Sequence, residues 1–256
     1  MNALKVIPVP FARDNYLWLI SDGRHAALVD PGEAAPALDA LQGLNPAAIL
    51  LTHHHVDHIG GVSELLAHYP SLPVYGPRKD NIACVNRPVE DGSKVRLEAL
   101  GLTLQVIGVP GHTRGHIAWL GEGMLFCGDA LFSAGCGRLF EGTPADLEYT
   151  LRRLSQIDGQ TKIYCAHEYT LTNLAFARAA EPDNPKRDRY AAHCEALRKQ
   201  GQPTLPTTMA IERAINPFLR TDSASVVAAV KAHCGAHPAD AVACLAVLRA
   251  WKDVFS

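Results

Sequence analysis

Thr52-His53-His54-His55-Val56-Asp57-His58-Ile59-Gly60-Gly61 decides how the rest of this chain is read. Four histidines and one aspartate crowd between positions 53 and 58, directly after the apolar run Ala47-Ala48-Ile49-Leu50-Leu51. A buried strand that ends in imidazoles and a carboxylate presents metal ligands, and those donors suit zinc, iron or manganese. In extended chain His53 and His55 point to one side and His54 points away. Asp57 and His58 come from the bend into the following helix and are aimed differently, so two ligands serve one metal and two serve a neighbour. The bland alternative is a His-rich surface loop, and it falls only if the rest of the chain supplies further ligands.

Working outward, the preceding residues read as strands at 4–9, 16–21 and 26–29, a helix at 34–44 and the feeding strand at 48–51. Asp30-Pro31-Gly32 is a strong turn signal. Turn chemistry accounts for Asp30, which is also placed to back a metal ligand. Downstream, Ile59, Val62, Leu65 and Leu66 recur at helical spacing, predicting one helix from 59 to 69. Gly60 and Gly61 let the backbone pass close to the site. A strand near 73–75 precedes a variable-looking segment, 76–96. The strand at 102–109 then runs into Pro110-Gly111-His112-Thr113-Arg114-Gly115-His116. Strands at 117–120 and 124–127 follow, the second ending in Gly128-Asp129, and a strand at 162–166 ends at His167. Strand ends therefore deliver His or Asp at 53–58, 112, 129 and 167, a placement far less expected by chance than any one of them.

After about residue 170 the pattern changes to helices at 170–180, 187–200, 223–233 and 240–254. Proline-rich links join them, such as Glu181-Pro182-Asp183-Asn184-Pro185. The expected division is 1–168 and a helical part, 169–256, with no internal repeat.

At 256 residues the chain can bury a sizeable core. A net charge of −2 argues against a general nucleic-acid partner. No apolar run approaches the roughly 18 residues that span a membrane. The start, Met1-Asn2-Ala3-Leu4-Lys5-Val6-Ile7-Pro8, does not read as a signal peptide, so a cytoplasmic setting is expected. Seven scattered cysteines, never in a C-x-x-C pair, fit reduced thiols and not a disulfide framework or a structural zinc knuckle. Histidines adjoin Cys194 and Cys234, but none is defensible as the base of a cysteine nucleophile, and there is no Gly-x-Ser-x-Gly elbow.

With those residues in place the chain closely resembles the metallo-β-lactamase superfamily, whose signature is His-x-His-x-Asp-His followed by a later His, Asp and His. Here these are His53, His55, Asp57 and His58, then His112, Asp129 and His167. Within it the resemblance is to glyoxalase II, the hydroxyacylglutathione hydrolases. It covers nearly the whole length, through the motifs at 52–61, 111–116, 127–143 and 165–170, including Gly135-Cys136-Gly137-Arg138-Leu139-Phe140-Glu141-Gly142-Thr143 and His167-Glu168-Tyr169-Thr170.

The resemblance implies an α/β fold, an αββα sandwich with metals at one edge of its two sheets, and a helical C-terminal domain that binds glutathione. It assigns His53, His55 and His112 to a first divalent metal and Asp57, His58 and His167 to a second, with Asp129 bridging. Zinc is expected first, with iron or manganese accepted by the same donors. His54 is not a ligand in this pattern, and His116 is expected to be buried or to support a ligand. Two metals about 3.5–4 Å apart can share a water and lower its pKa toward 7, giving a hydroxide that attacks a thioester carbonyl, with Asp57 and Asp129 holding the metals. The implied reaction is hydrolysis of S-D-lactoylglutathione to glutathione and D-lactate, the second step of methylglyoxal detoxification, by a monomer needing neither nucleic acid nor membrane.

Arg249 and Lys252, three apart on the last helix, share a face. By themselves they read as a solvated cationic helix end; the resemblance makes them a grip on the glycine carboxylate of glutathione, with Arg138 and Tyr169 as further contacts. Where relatives of animal type carry Lys and Tyr, this chain has Arg138 and Phe140; arginine keeps the charge, whereas Phe140 has no hydroxyl to donate. Other readings remain within reach of the same residues. A persulfide dioxygenase uses a single iron and lacks such a tail. A β-lactamase lacks the tail as well. A flavodiiron-type redox module usually carries a flavodoxin domain and a carboxylate in the cluster.

Overall fold

Residues 3–255 are described by a computed structural model, so Met1 and Asn2 of the stretch read for a signal peptide lie outside it. In chain order the first elements are β1 (Lys5–Phe11), β2 (Asn15–Ser21), β3 (His25–Val29), α1 (Ala34–Ala40), β4 (Asn45–Leu50), α2 (Val56–Ile59), α3 (Val62–His68), β5 (Val74–Pro77), β6 (Arg87–Val89), β7 (Lys94–Leu97), β8 (Leu102–Gly108), β9 (Ile117–Gly121) and β10 (Met124–Gly128). There follow β11 (Leu131–Phe132), β12 (Gly135–Cys136), α4 (Pro144–Leu154), β13 (Lys162–Cys165), α5 (Thr170–Ala180), α6 (Pro185–Lys199), β14 (Thr207–Thr208), α7 (Met209–Ile215), α8 (Ala224–Cys234) and α9 (Ala241–Val254). The chain divides into two compact units. The first holds residues 1–108, 114–128 and 164–167; the second holds 109–113, 129–163 and 168–256.

In the first unit, one sheet has the order β1-β2-β3-β4-β5-β6. β1, β2 and β3 pair antiparallel, then β3, β4, β5 and β6 run parallel. Every residue of β2, Asn-Tyr-Leu-Trp-Leu-Ile-Ser, is buried, as expected of a strand covered on both faces. On one face Leu17, Leu19, Leu28, Ile49 and Leu51 meet Ala37 and Leu41 from α1 and its end, and Val62 and Leu65 from α3, in one apolar cluster. Strands β7, β8, β9 and β10 form a second, antiparallel sheet. The indole N–H of buried Trp119 ties it to the first sheet by donating to the Leu51 carbonyl at 3.2 Å, and buried Trp18 of β2 donates to the Cys165 carbonyl of β13 at 3.1 Å.

Two sequence expectations change here. The helix expected over 59–69 starts only at Val62, as α3, and the expected bend before it is a separate short helix, α2, with Gly60-Gly61 between them. A β-carbon at Gly60 would lie 2.6 Å from the Gly32 carbonyl oxygen, and one at Gly61 2.5 Å from the Glu33 carbonyl carbon. The glycines are there so that the backbone can press onto the Asp30-Pro31-Gly32 turn, and that contact ends the first helix. The variable-looking segment 76–96 contains β6 and β7, and in β7 Lys94 and Arg96 alternate with buried Val95 and Leu97.

In the second unit, β11 and β12 form a short hairpin, and Lys162 and Ile163 pair with Thr208 and Thr207. Ala134 of the hairpin turn, Leu174 and Ala177 of α5, Ala191 and Cys194 of α6 and Ile215 of α7 share a small apolar core. The link between α5 and α6 is fastened by buried Arg187, which donates to the carbonyls of Ala177, Glu181 and Pro182. Helix α9 buries Cys244, Leu245, Leu248 and Arg249 along one stripe. Helix α4 was missing from the sequence reading. Its start is marked by a capping box, with the Thr143 N–H donating to Asp146 Oδ2 at 2.8 Å and the Asp146 N–H to Thr143 Oγ1 at 3.2 Å, and by Pro144 in the first turn.

Candidate metal centre and cationic cluster

In the first unit the β4 end and α2 bring the histidine-rich stretch together as its spacing predicts. His53 Nε2 lies 3.1 Å from His55 Nδ1. His54 is turned away, with Nδ1 3.0 Å from Asp80 Oδ2. Asp57 and His58 stand in α2 itself, whose first residue follows His55. His167, at the end of β13, joins them: its Nε2 is 3.5 Å from Asp57 Oδ2, and His58 Nε2 is 3.8 Å from the same oxygen. Asp57, His58 and His167 thus offer donor atoms within 4.8 Å of one another, close enough for one cation. All are nitrogen or carboxylate oxygen, the donor set of a catalytic zinc, iron or manganese site and not of a cysteine-rich structural one.

Both imidazoles are held from behind by carboxylates. His58 Nδ1 faces Asp30 Oδ2 at 3.0 Å, and His167 Nδ1 faces Asp14 Oδ1 at 3.1 Å. The Asn15 amide donates to Asp57 Oδ2 at 3.1 Å. A carboxylate on Nδ1 fixes the tautomer that leaves Nε2 as the metal donor and raises its basicity. Asp30 therefore does more than turn the chain. Its carboxylate also accepts from the Thr52 N–H at 2.8 Å and from Thr52 Oγ1 at 2.7 Å, and it adopts φ 52°, a sparsely populated conformation for a residue other than glycine. Such a conformation at a residue that holds an imidazole of the candidate site is where functional constraint is usually found. His116 is buried, stacks on His53 with centroids 4.5 Å apart and sits with Nδ1 3.0 Å from the Ile117 carbonyl oxygen. Asp14 and Asn15 were missed by the sequence reading; their only signal was polarity beside the strand start at 16.

In the second unit His112 Nε2 lies 3.4 Å from Asp129 Oδ2. Behind the ring, Nδ1 is 2.8 Å from the Arg138 carbonyl oxygen. Gly137 makes this approach feasible: a β-carbon there would fall 2.0 Å from the Asp129 carbonyl oxygen and 3.0 Å from His112 Nδ1. The Phe140 ring, 64% exposed, meets His112 edge-on at 5.2 Å.

The four residues expected to hold substrate all belong to this unit, and three of them, Arg138, Arg249 and Lys252, come from one loop and the last helix. Arg249 is buried, with Nη1 donating to the Cys136 carbonyl at 2.8 Å and Nη2 to Asp253 Oδ1 at 3.0 Å. Arg138 Nε lies 3.4 Å from the same Asp253 oxygen. Lys252 holds its ammonium 5.6 Å from the centroid of the Phe176 ring. Burial depresses its pKa, and Arg249 and Arg138 add to the effect. Tyr169 packs edge-on against Phe132 at 5.2 Å. A loop and the last helix therefore place two arginines on one carboxylate with Lys252 on the same helix, a cationic surface suited to an anionic ligand. The reading of Arg249 as a solvated helix end does not survive its burial.

The hairpin between these groups rests on buried Glu212, which accepts from Ser133 Oγ, the Ala134 N–H and the Asn216 amide at 3.0, 2.8 and 3.1 Å. Burial pushes its carboxyl up to about 6 in spite of these donors.

Known proteins share this pattern. The family described as "Metallo-beta-lactamase superfamily" matches residues 12–167, and that described as "Hydroxyacylglutathione hydrolase C-terminus" matches residues 168–255. The hydroxyacylglutathione hydrolase of Cupriavidus metallidurans is 50% identical over 98% of this chain and 99% of its own. That of Aeromonas hydrophila is 51% identical over 98% and 99%. Among solved structures, ETHE1 from Myxococcus xanthus is similar at a TM-score of 0.63, with 26% identity over 85% of this chain and 84% of its own. Fold and ligand pattern define a mixed α/β protein of metallo-β-lactamase type with a helical C-terminal region. Within that class, the chain belongs to the hydroxyacylglutathione hydrolase family.

Proposed function

We propose that this chain is a thioester hydrolase that cleaves S-D-lactoylglutathione to glutathione and D-lactate, acting as a monomer in the cytoplasm with two divalent metals, zinc first. The observation that carries the metal half is the convergence of His58 Nε2 and His167 Nε2 on the Asp57 carboxylate, with each Nδ1 held by its own carboxylate. By the family pattern His53, His55 and His112 hold one metal, Asp57, His58 and His167 the other, and Asp129 contributes to both. Residues 1–168 serve as the catalytic part and 169–256 as the substrate-binding part.

When bound, such metals supply Lewis acidity that makes hydroxide available near neutral pH and stabilises charge on the carbonyl oxygen. The chain's own residues do the rest. Asp14 and Asp30 keep His167 and His58 in the donating tautomer. Asn15 donates to the Asp57 oxygen that faces His58 and His167 and so orients that carboxylate. Arg138, Arg249 and Lys252 offer charge to a glutathione carboxylate, and Tyr169 is a further contact. Because the leaving group is a thiolate of modest basicity, no general acid is required to release it.

Purified protein is assayed by loss of thioester absorbance with S-D-lactoylglutathione, beside a penicillin-type lactam and glutathione persulfide with oxygen. Turnover of the thioester is expected. Turnover of either alternative without the thioester sinks the proposal, and one equivalent of iron alone would favour the dioxygenase reading.

A further inference from the structure

Helix α9 reaches a proposed metal ligand through three backbone residues. Arg249, fixed over the Phe218 ring at 5.3 Å, donates Nη1 to the Cys136 carbonyl and Nη2 to Asp253, and Asp253 in turn faces Arg138 Nε. The Cys136 end of the segment Cys136-Gly137-Arg138 is thereby tied through its carbonyl, and the Arg138 end through its side chain, to one turn of α9. Its last carbonyl is the oxygen facing His112 Nδ1. Gly137, between the tied ends, lies so close to Asp129 and His112 that no side chain fits there. A shift of the segment therefore moves the ligand pair itself.

We infer that Arg249 and Asp253 are positioning residues for His112, acting through the backbone of residues 136–138, in addition to any contact with substrate. The physical reason lies in the imidazole. With Nδ1–H donating to the Arg138 carbonyl, Nε2 is left as the donor toward Asp129 and a metal. If the carbonyl drifts, the ring loses both its tautomer and its orientation. In the first unit this task belongs to carboxylates; here a neutral carbonyl does it, and it is only as well placed as the loop that carries it. Lys252 provides the internal contrast: it shares the cluster, but its ammonium sits over Phe176 and Phe255.

The inference rests on the reading of His112 as a ligand, and the test separates the two. Full-length Arg249→Met, Asp253→Asn, Lys252→Met and His112→Ala proteins are titrated with zinc(II) against a competing chelator, and kcat and KM are measured on the same samples. In Arg249→Met and Asp253→Asn the affinity for one zinc equivalent is expected to fall about tenfold or more, the usual consequence of removing support behind a metal-bound histidine. The two changes alter charge in opposite directions. Coulomb attraction alone would tighten zinc binding in Arg249→Met and loosen it in Asp253→Asn, so loss in both marks positioning. Lys252→Met is expected to bind zinc as the parent does while its KM rises. Parental zinc affinity in both Arg249→Met and Asp253→Asn overturns the inference. Should buried Arg249 not tolerate replacement, Arg138→Met, which removes a positive charge from the 61% exposed partner of Asp253, takes its place beside Asp253→Asn, and loss in both again marks positioning. Parental zinc affinity in His112→Ala means that the ligand reading has failed. Lowered zinc affinity with KM unchanged in every variant removes the carboxylate grip and leaves the positioning role standing.

Discussion

The two units support their imidazoles in different ways. In the first, His58 and His167 are each backed by an aspartate, and Asp30 is itself locked by two hydrogen bonds from Thr52. In the second, His112 is backed by a peptide carbonyl whose place depends on a glycine, a loop and the far end of the chain. A carboxylate makes its histidine a stronger donor and adds negative charge near a cation; a carbonyl orients without charge. The first unit's imidazoles are therefore held by direct side-chain contacts, whereas His112 is held through a loop tied to α9, so damage to the C-terminal helix should be felt at His112 before it is felt at His58.

The sharpest way to break this contrast is Asp57→Ala, which removes the carboxylate on which both carboxylate-backed histidines converge. It should cost one metal equivalent and lower kcat by about a thousandfold, the several kcal/mol that metal electrostatics contributes. Full metal content by elemental analysis would contradict the assignment. Next, Asp30→Asn is expected to weaken metal binding by up to about 100-fold, and Asp14→Asn by nearer tenfold, within the range for partners of metal-bound histidine. Asp30 is buried and makes more contacts, whereas Asp14 is partly exposed. Equal effects, measured by chelator competition, would remove the distinction between the two supports.

The smallest effect concerns the hairpin under the second unit's loop. Burial raises Glu212 from its ordinary 4.5 to about 6, so the folded state holds this proton more tightly than the unfolded chain does. Its favourable contribution is complete below about pH 4.5 and is lost as pH rises through about 6, amounting to about 2 kcal/mol. The stability of the parent relative to Glu212→Gln should therefore decline across that window in denaturant unfolding. A difference that stays flat with pH would rule this out.

Much of the site was legible because metal chemistry restricts residue types. Few arrangements other than ligation put His or Asp at so many strand ends, and period-two geometry separated His54 from its neighbours. The strands and the four main tail helices were likewise visible, since apolar periodicity reports burial directly, with ends off by a residue or two as fraying helix termini are. What stayed hidden depends on contacts between residues distant in sequence. Asp14 backs a histidine more than 150 positions away, by sequence separation 153, and nothing local distinguishes it from a turn aspartate. Arg249 looked solvated because charge at a helix end normally is; only the Cys136 carbonyl across 113 positions explains its burial. Helix α4 is a different kind of miss, because Thr143-Pro144-Ala145-Asp146 announced it. The split at Gly60-Gly61 was hidden by Ile59 and Val62, which keep helical spacing across a break.

The distribution of sulfur has a chemical consequence for a catalyst whose proposed product is itself a thiol. Cys127, Cys136, Cys165, Cys194 and Cys244 are buried, Cys84 is half-buried, and Cys234 is exposed at the end of α8. Burial also pushes the thiols of Cys84, Cys136, Cys194 and Cys244 up, which withholds the thiolate needed for exchange. The enzyme can thus stand in concentrated glutathione, reduced or oxidised, with its interior closed to mixed disulfides, and the cysteine open to glutathionylation lies on a surface helix end where a modification disturbs no core packing.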